Sequence, residues 1–134
     1  MKKVLTSLFF GLFVVSILTS VNCSNQQSNE FLLTAKEYAK KIESLPNAPI
    51  IDVRSPEEYK TGHIAKAVNY NWNGDKFLSQ IAKLDKTKPV FVYCHAGGRS
   101  NAAVTKMRSI GFKKVYDLSG GFTSWKAASL PVKM

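Results

Sequence analysis

Cysteine and histidine are scarce in this sequence, whose 134 residues contain only two of each. The cysteines are Cys23 and Cys94, and the histidines are His63 and His95. No pair among them has the short spacing of a zinc ligand set, so the sequence predicts neither a bound metal nor another cofactor. If Cys23 is modified or removed, Cys94 has no partner for an internal disulfide, and its thiol becomes a candidate for reactivity.

Acidic side chains are also few, with nine Asp and Glu against 19 Lys and Arg, which gives a formal net charge of +10. The basic residues are scattered: no run of lysines exceeds two, and no series of aromatic residues alternates with them. We therefore expect a solvated basic surface and no nucleic-acid binding. Such a surface can still attract small anionic substrates towards a cleft.

Charge is absent from Val4 to Val21, an apolar stretch that follows the basic Lys2 and Lys3. This order is typical of a secretory signal peptide, predicted here as residues 1–22. The polar run "SNQQSN" then predicts a flexible tether over residues 23–30. The stretch is also long enough for a retained membrane anchor.

The segment "LTSVNC" resembles a bacterial lipoprotein signal, although Asn22 stands where that motif usually has Gly, Ala or Ser. The resemblance implies that Cys23 becomes the lipid-bearing first residue of a membrane-anchored protein on the periplasmic or cell-surface side. Conventional cleavage near Cys23 or Ser24 is the alternative, and it would give a soluble exported protein.

Residues 31–134 contain no internal repeat and no linker, and we expect one domain there. Short apolar runs alternate with segments of helical periodicity, which predicts βαβ units and a parallel sheet with helices on both faces. The predicted strands are 31–33, 49–53, 67–71, 89–93 and 114–118, and the predicted helices are 34–42, 55–62, 75–84, 98–110 and a short one from 120. Thr34 with Glu37 and Ser55 with Glu58 have the spacing of capping boxes.

The stretch "YCHAGGRS" places Cys94 directly after the apolar run that ends at Tyr93. Ligands of open α/β sheets bind beyond the carboxyl ends of the strands. Gly97 and Gly98 let backbone amides converge on an anion at the start of the next helix, and such a site favours a thiolate. Arg99 adds a planar group suited to an oxyanion. A tight turn around an inert, buried cysteine is the structural alternative.

Three blocks of the sequence together resemble a single-domain rhodanese, a sulfurtransferase family. They are "IIDVRSPEEYKTGHIAKAVNYN" at 50–71, "VYCHAGGRSNAA" at 92–103 and "DLSGGFTSWKAASLPV" at 117–132. The resemblance covers residues 31–134 and implies a three-layer rhodanese-like α/β fold with a parallel sheet of about five strands. It also implies that Cys94 carries sulfane sulfur as a persulfide. The implied substrate-binding loop comprises His95, Ala96, Gly97, Gly98, Arg99 and Ser100.

The resemblance further implies a monomer that takes sulfur from thiosulfate or a persulfide and passes it to cyanide or a thiol. Asp52 and Arg54 are expected to support the loop by hydrogen bonds and an ion pair, although both could reach the cleft. A cysteine phosphatase or arsenate reductase is one alternative. Cys94 and Arg99 enclose four residues, however, one fewer than in cysteine phosphatases. The other alternative is a non-catalytic rhodanese-like module, but such modules commonly lack the cysteine.

Overall fold

The computed structural model describes residues 30–134, so Cys23, the predicted signal peptide and all but the last residue of the predicted tether lie outside it. Strands and helices alternate along the described chain. The strands are β1 (Leu32–Leu33), β2 (Ile50–Asp52), β3 (Ala67–Asn69), β4 (Val90–Tyr93) and β5 (Val115–Leu118). The helices are α1 (Ala35–Ser44), α2 (Pro56–Lys60), α3 (Phe77–Ile81), α4 (Gly98–Ser109) and α5 (Gly121–Ala127).

The five strands form one sheet in the order β1-β5-β4-β2-β3, and every neighbouring pair is parallel. The predicted α/β class and the parallel sheet of five strands are therefore confirmed. β4 lies at the centre of the sheet, and all four of its residues are buried. The carboxyl end of β4 consequently opens between the ends of β5 and β2, where ligands of such sheets bind.

Each face of the sheet is covered by its own apolar core, because side chains of a strand point alternately to opposite faces. On one face, Val90 and Val92 of β4 pack with residues of α3 and α4 such as Ile81 and Met107. On the other face, Phe91 and Tyr93 pack with residues of α1 and α5, which include Tyr38 and Trp125. The molecule thus has the three layers that the sequence predicts.

Both predicted capping boxes are present. Ser55 donates its backbone N–H to Oε2 of Glu58 over 3.0 Å, and its hydroxyl accepts from the Glu58 N–H over 3.3 Å. Thr34 and Glu37 make the same reciprocal pair at the start of α1. These bonds satisfy amides that the first helical turn leaves without partners, so both helices begin where the sequence places them.

Helix α3 is shorter than predicted, with five residues in place of the ten from 75 to 84. Phe77 and Ile81 are buried, but Leu78 is 52% exposed. Positions 77 and 81 share a face of a helix, whereas position 78 is turned by about 100° from that face. Within residues 30–134, no helix has both the length and the apolar character needed to cross a bilayer.

Candidate active site

The Cys94 loop, defined as residues 94–97, connects the central strand β4 to helix α4. Cys94 follows the last residue of β4, and α4 begins at Gly98. The first-turn amides of a helix lack intrahelical partners and point away from the helix, towards the preceding loop. The thiol therefore lies between the end of a buried strand and the positive end of a 12-residue helix.

The sulfur of Cys94 accepts a hydrogen bond from the backbone N–H of Gly97, with 3.0 Å between nitrogen and sulfur. The residue is only 1% exposed. Gly97 has φ 114°, a left-handed backbone conformation that residues with a side chain rarely adopt. Gly98 differs, because its φ is an ordinary one and a Cβ added there would meet no atom within 4 Å. Of the two glycines, Gly97 therefore has the backbone conformation that requires glycine, and Gly98 does not.

Helix α5, which follows the neighbouring strand β5, holds the backbone of the Cys94 loop by hydrogen bonds. The N–H of Phe122 donates to the Cys94 carbonyl over 2.7 Å, and the N–H of Thr123 donates to the His95 carbonyl over 3.0 Å. A Cβ at Gly121 would lie 2.6 Å from both carbonyl oxygens. This close packing was missed by sequence reasoning. Its only signal is the double glycine "GGF", which has no distinctive spacing from the cysteine.

Arg99 pairs with Glu58 of helix α2. Its Nη1 donates to Oε2 over 2.6 Å and its Nη2 to Oε1 over 2.8 Å. The hydrogen bonds from Arg99 lower the pKa of Glu58 to about 2, despite the opposing effect of partial burial. His95 is exposed, and its Nδ1 lies 4.0 Å from Oε1 of Glu58. Sequence reasoning identified Glu58 only as a capping residue, so its contact with the loop was missed.

Ser100 and Asp117 lie behind the loop and are both buried. The Ser100 hydroxyl donates to the Gly97 carbonyl over 3.1 Å, which ties the first turn of α4 to the loop. Burial raises the pKa of Asp117 to about 6, against the opposing effects of the Ser100 hydroxyl, the Leu118 amide and Arg108. The Oδ1 atom of Asp117 has no hydrogen-bond partner within residues 30–134. Ala96, within the loop, is exposed.

Asp52 and Arg54 form a buried ion pair at the end of β2. Nε and Nη2 of Arg54 donate to the carboxylate over 2.6–3.0 Å, and Nη2 also donates to the Gly62 carbonyl. The guanidinium lies 4.2 Å from the ring centre of Phe122 in α5. The pair therefore links β2, the loop before β3 and α5, and it supports the elements that surround the thiol.

His63 and Trp125 make packing contacts. His63 stacks on Tyr59 with 3.9 Å between ring centres. The indole N–H of Trp125 donates to the Pro131 carbonyl over 2.9 Å, and the residue is 5% exposed.

The described arrangement can stabilise negative charge on one sulfur atom, because a backbone amide donates to it and the start of a helix faces it. Such an arrangement favours the thiolate, which is the nucleophilic form of a cysteine. The two arginines nearby, Arg54 and Arg99, each form an ion pair with a carboxylate.

Comparisons with known proteins identify relatives over most of the described chain. Residues 34–128 match the Rhodanese-like domain family. The thiosulfate sulfurtransferase GlpE of Coxiella burnetii is 40% identical over 95 residues, which cover 71% of this chain and 83% of that protein. The uncharacterized protein YqhL of Bacillus subtilis is 31% identical over 125 residues, or 93% of this chain and 94% of the relative. The crystal structure of a rhodanese-related protein from Thermoplasma volcanium superimposes with a TM-score of 0.67 at 28% identity, covering 76% of this chain and 96% of the other.

Proposed function

The chain belongs to the family of rhodanese-like domains, and we propose that it is a sulfurtransferase that carries sulfane sulfur on Cys94. The observation that carries this proposal is the 3.0 Å hydrogen bond from the Gly97 amide to the Cys94 sulfur. This amide is positioned to stabilise the negative charge of the attacking thiolate and of the persulfide that follows. The relation to a thiosulfate sulfurtransferase at 40% identity supports the same reaction class.

The reaction has two transfer steps. The Cys94 thiolate attacks the outer sulfur of thiosulfate, the S–S bond of the donor breaks, and its electron pair leaves with sulfite. With a persulfide donor, the corresponding leaving group is a thiolate. The outer sulfur of the Cys94 persulfide is then attacked by cyanide or by an acceptor thiol, which restores the Cys94 thiolate.

The loop supports sulfur chemistry better than phosphoryl transfer. Four residues separate Cys94 from Arg99, and the guanidinium of Arg99 bonds to Glu58. A phosphatase needs a wider ring of amides and an arginine that closes on the phosphoryl group. The loop here directs the Gly97 amide at a single sulfur atom.

The test is the mass of the protein after treatment with thiosulfate and removal of excess donor. Wild type is expected to gain about one sulfur (~32 Da), located on Cys94, and to lose it when cyanide is added. Cys94→Ser is expected to show neither the gain nor the transferase activity. Full activity in Cys94→Ser would refute the proposal, as would thiocyanate production without any sulfur bound to the protein.

We also propose that the protein is exported and held at a membrane by a lipid on Cys23. The apolar run Val4 to Val21 and the cysteine at its polar boundary support this proposal. A bacterial lipoprotein carries several acyl chains, and several chains anchor a protein stably where one does not. Extraction of the wild type should therefore require detergent, and that of Cys23→Ala should not. A wild-type protein that is soluble and begins at Ser24 or later would contradict lipidation. Uncleaved chains in the membrane for both proteins would indicate an anchor at 4–21.

A further inference from the structure

Glu58 connects two parts of the molecule that are far apart in sequence. Its carboxylate accepts both Arg99 hydrogen bonds, over 2.6 and 2.8 Å, and it also accepts the Ser55 N–H that begins α2. Arg99 is 29% exposed and Glu58 is 33% exposed, so solvent screens the pair only in part. With a pKa of about 2, Glu58 is ionised at neutral pH.

Arg54, the other arginine near the loop, is likewise paired with a carboxylate. A cavity of about 350 Å³ lies next to His95 and is lined by Arg54, Glu58, Phe122 and Lys126, among others. Arg54 is neutralised by the buried carboxylate of Asp52, as Arg99 is by Glu58. The positive charge of both arginines is therefore balanced by a neighbouring carboxylate.

We propose that Glu58 determines which sulfur donors the Cys94 loop accepts, by disfavouring donors with two negative charges relative to donors with one. The inference rests on the proposed sulfurtransferase function. A guanidinium has five N–H groups, and Glu58 occupies two of those of Arg99, so the others can still bind a donor. The fixed carboxylate opposes each additional negative charge that approaches Arg99.

Thiosulfate and methanethiosulfonate test this idea directly, because they undergo the same step with different charge. In both, the Cys94 thiolate attacks the terminal sulfur and the S–S bond breaks. The first donor has charge −2 and releases sulfite, and the second has charge −1 and releases methanesulfinate. The ratio of kcat/KM for the two donors therefore isolates the effect of one charge from the reactivity of the thiolate.

Glu58→Gln is the informative variant, since Gln at the third helical position also forms a capping box and α2 is expected to be retained. We expect its kcat/KM for thiosulfate to rise about five- to tenfold relative to that for methanethiosulfonate. Glu57→Gln changes the net charge of the protein equally at an exposed neighbouring position, and its ratio should equal that of wild type. Glu58→Asp keeps the negative charge and should also stay near the wild-type ratio.

An unchanged ratio in Glu58→Gln, with circular dichroism showing a folded protein, would overturn the inference. So would an equal change in Glu57→Gln, which would attribute the effect to net charge alone. If Glu58→Gln does not fold, Glu58→Asp provides the test. A ratio of kcat/KM for the two donors that differs about fivefold or more from that of wild type would then overturn the inference. If wild-type Cys94 accepts sulfur from neither donor, the proposed function fails together with this inference, whereas sulfur loading with an unchanged ratio refutes the inference alone.

Discussion

Replacing Asp117 by Asn should stabilise the protein at neutral pH and have little effect in acid. Asp117 is 4% exposed, and burial raises the pKa of its carboxyl group from 3.8 to about 6. The native state therefore binds this proton more tightly than the unfolded state does. The stabilising contribution of the protonated carboxyl is complete below about pH 3.8 and is lost as the pH rises through 6.

The size of the effect follows from the two pKa values. A rise from 3.8 to about 6 corresponds to about 3 kcal/mol of stability lost once Asp117 is ionised in both states. Asn has nearly the same shape and cannot ionise. Asp117→Asn should thus raise the free energy of unfolding at pH 8 by about 2–3 kcal/mol and leave it nearly unchanged at pH 4.

Urea denaturation between pH 4 and pH 8, followed by tryptophan fluorescence, measures this difference. Trp125 is 5% exposed and Trp72 packs on Phe77, so both indoles report on the loss of tertiary structure. Asp75→Asn removes a carboxylate at an exposed position, and its effect on stability should not depend on pH in this way. If Asp117→Asn changes stability by the same amount at pH 4 and pH 8, ionisation of Asp117 does not cost stability and the reasoning is wrong.

Four further substitutions, one of them a control, test the surroundings of the thiol. Arg99→Ala should lower kcat/KM for thiosulfate about ten- to a hundredfold more than for a neutral persulfide donor, because charge-assisted hydrogen bonds worth roughly 1.5–3 kcal/mol are lost. Equal losses would mean that Arg99 only shapes the loop. Gly121→Ala should destabilise the protein by about 2 kcal/mol or more in urea denaturation, since its Cβ would lie 2.6 Å from two backbone carbonyl oxygens. Gly98→Ala is the matched control and should be neutral or stabilising by about 0.4–1 kcal/mol. Asp52→Asn should lower the free energy of unfolding by about 3–5 kcal/mol in the same assay, because it leaves the 2%-exposed guanidinium of Arg54 without its counter-charge. A loss below about 1 kcal/mol would show that solvent reaches the guanidinium.

The order of strands and helices could be predicted from the sequence because its signals are local. An apolar run such as 89–93 and a capping pair such as Ser55 with Glu58 act within a few residues, and neither depends on the rest of the chain. The placement of Cys94 at a ligand-binding edge could then be predicted too, because ligands bind at the carboxyl end of a central parallel strand.

The contacts around the thiol could not be predicted in the same way. Glu58 and Arg99 are 41 positions apart, and they meet only because the sheet order brings α2 next to the start of α4. The need for Gly121 likewise arises from β5 lying beside β4, which brings the start of α5 against the Cys94 carbonyl. Both contacts depend on three-dimensional packing and leave no periodic pattern in the sequence.

The bonds from α5 to the Cys94 loop also affect how the site is completed during synthesis. Thr123 follows Cys94 by 29 residues, which corresponds to about 1.5–6 s at translation rates of about 5–20 residues per second. During that interval the nascent chain contains the cysteine but lacks the amides of Phe122 and Thr123 that hold the loop carbonyls. The loop can reach its final shape only after α5 has been made, so the nucleophile is synthesised well before its surroundings.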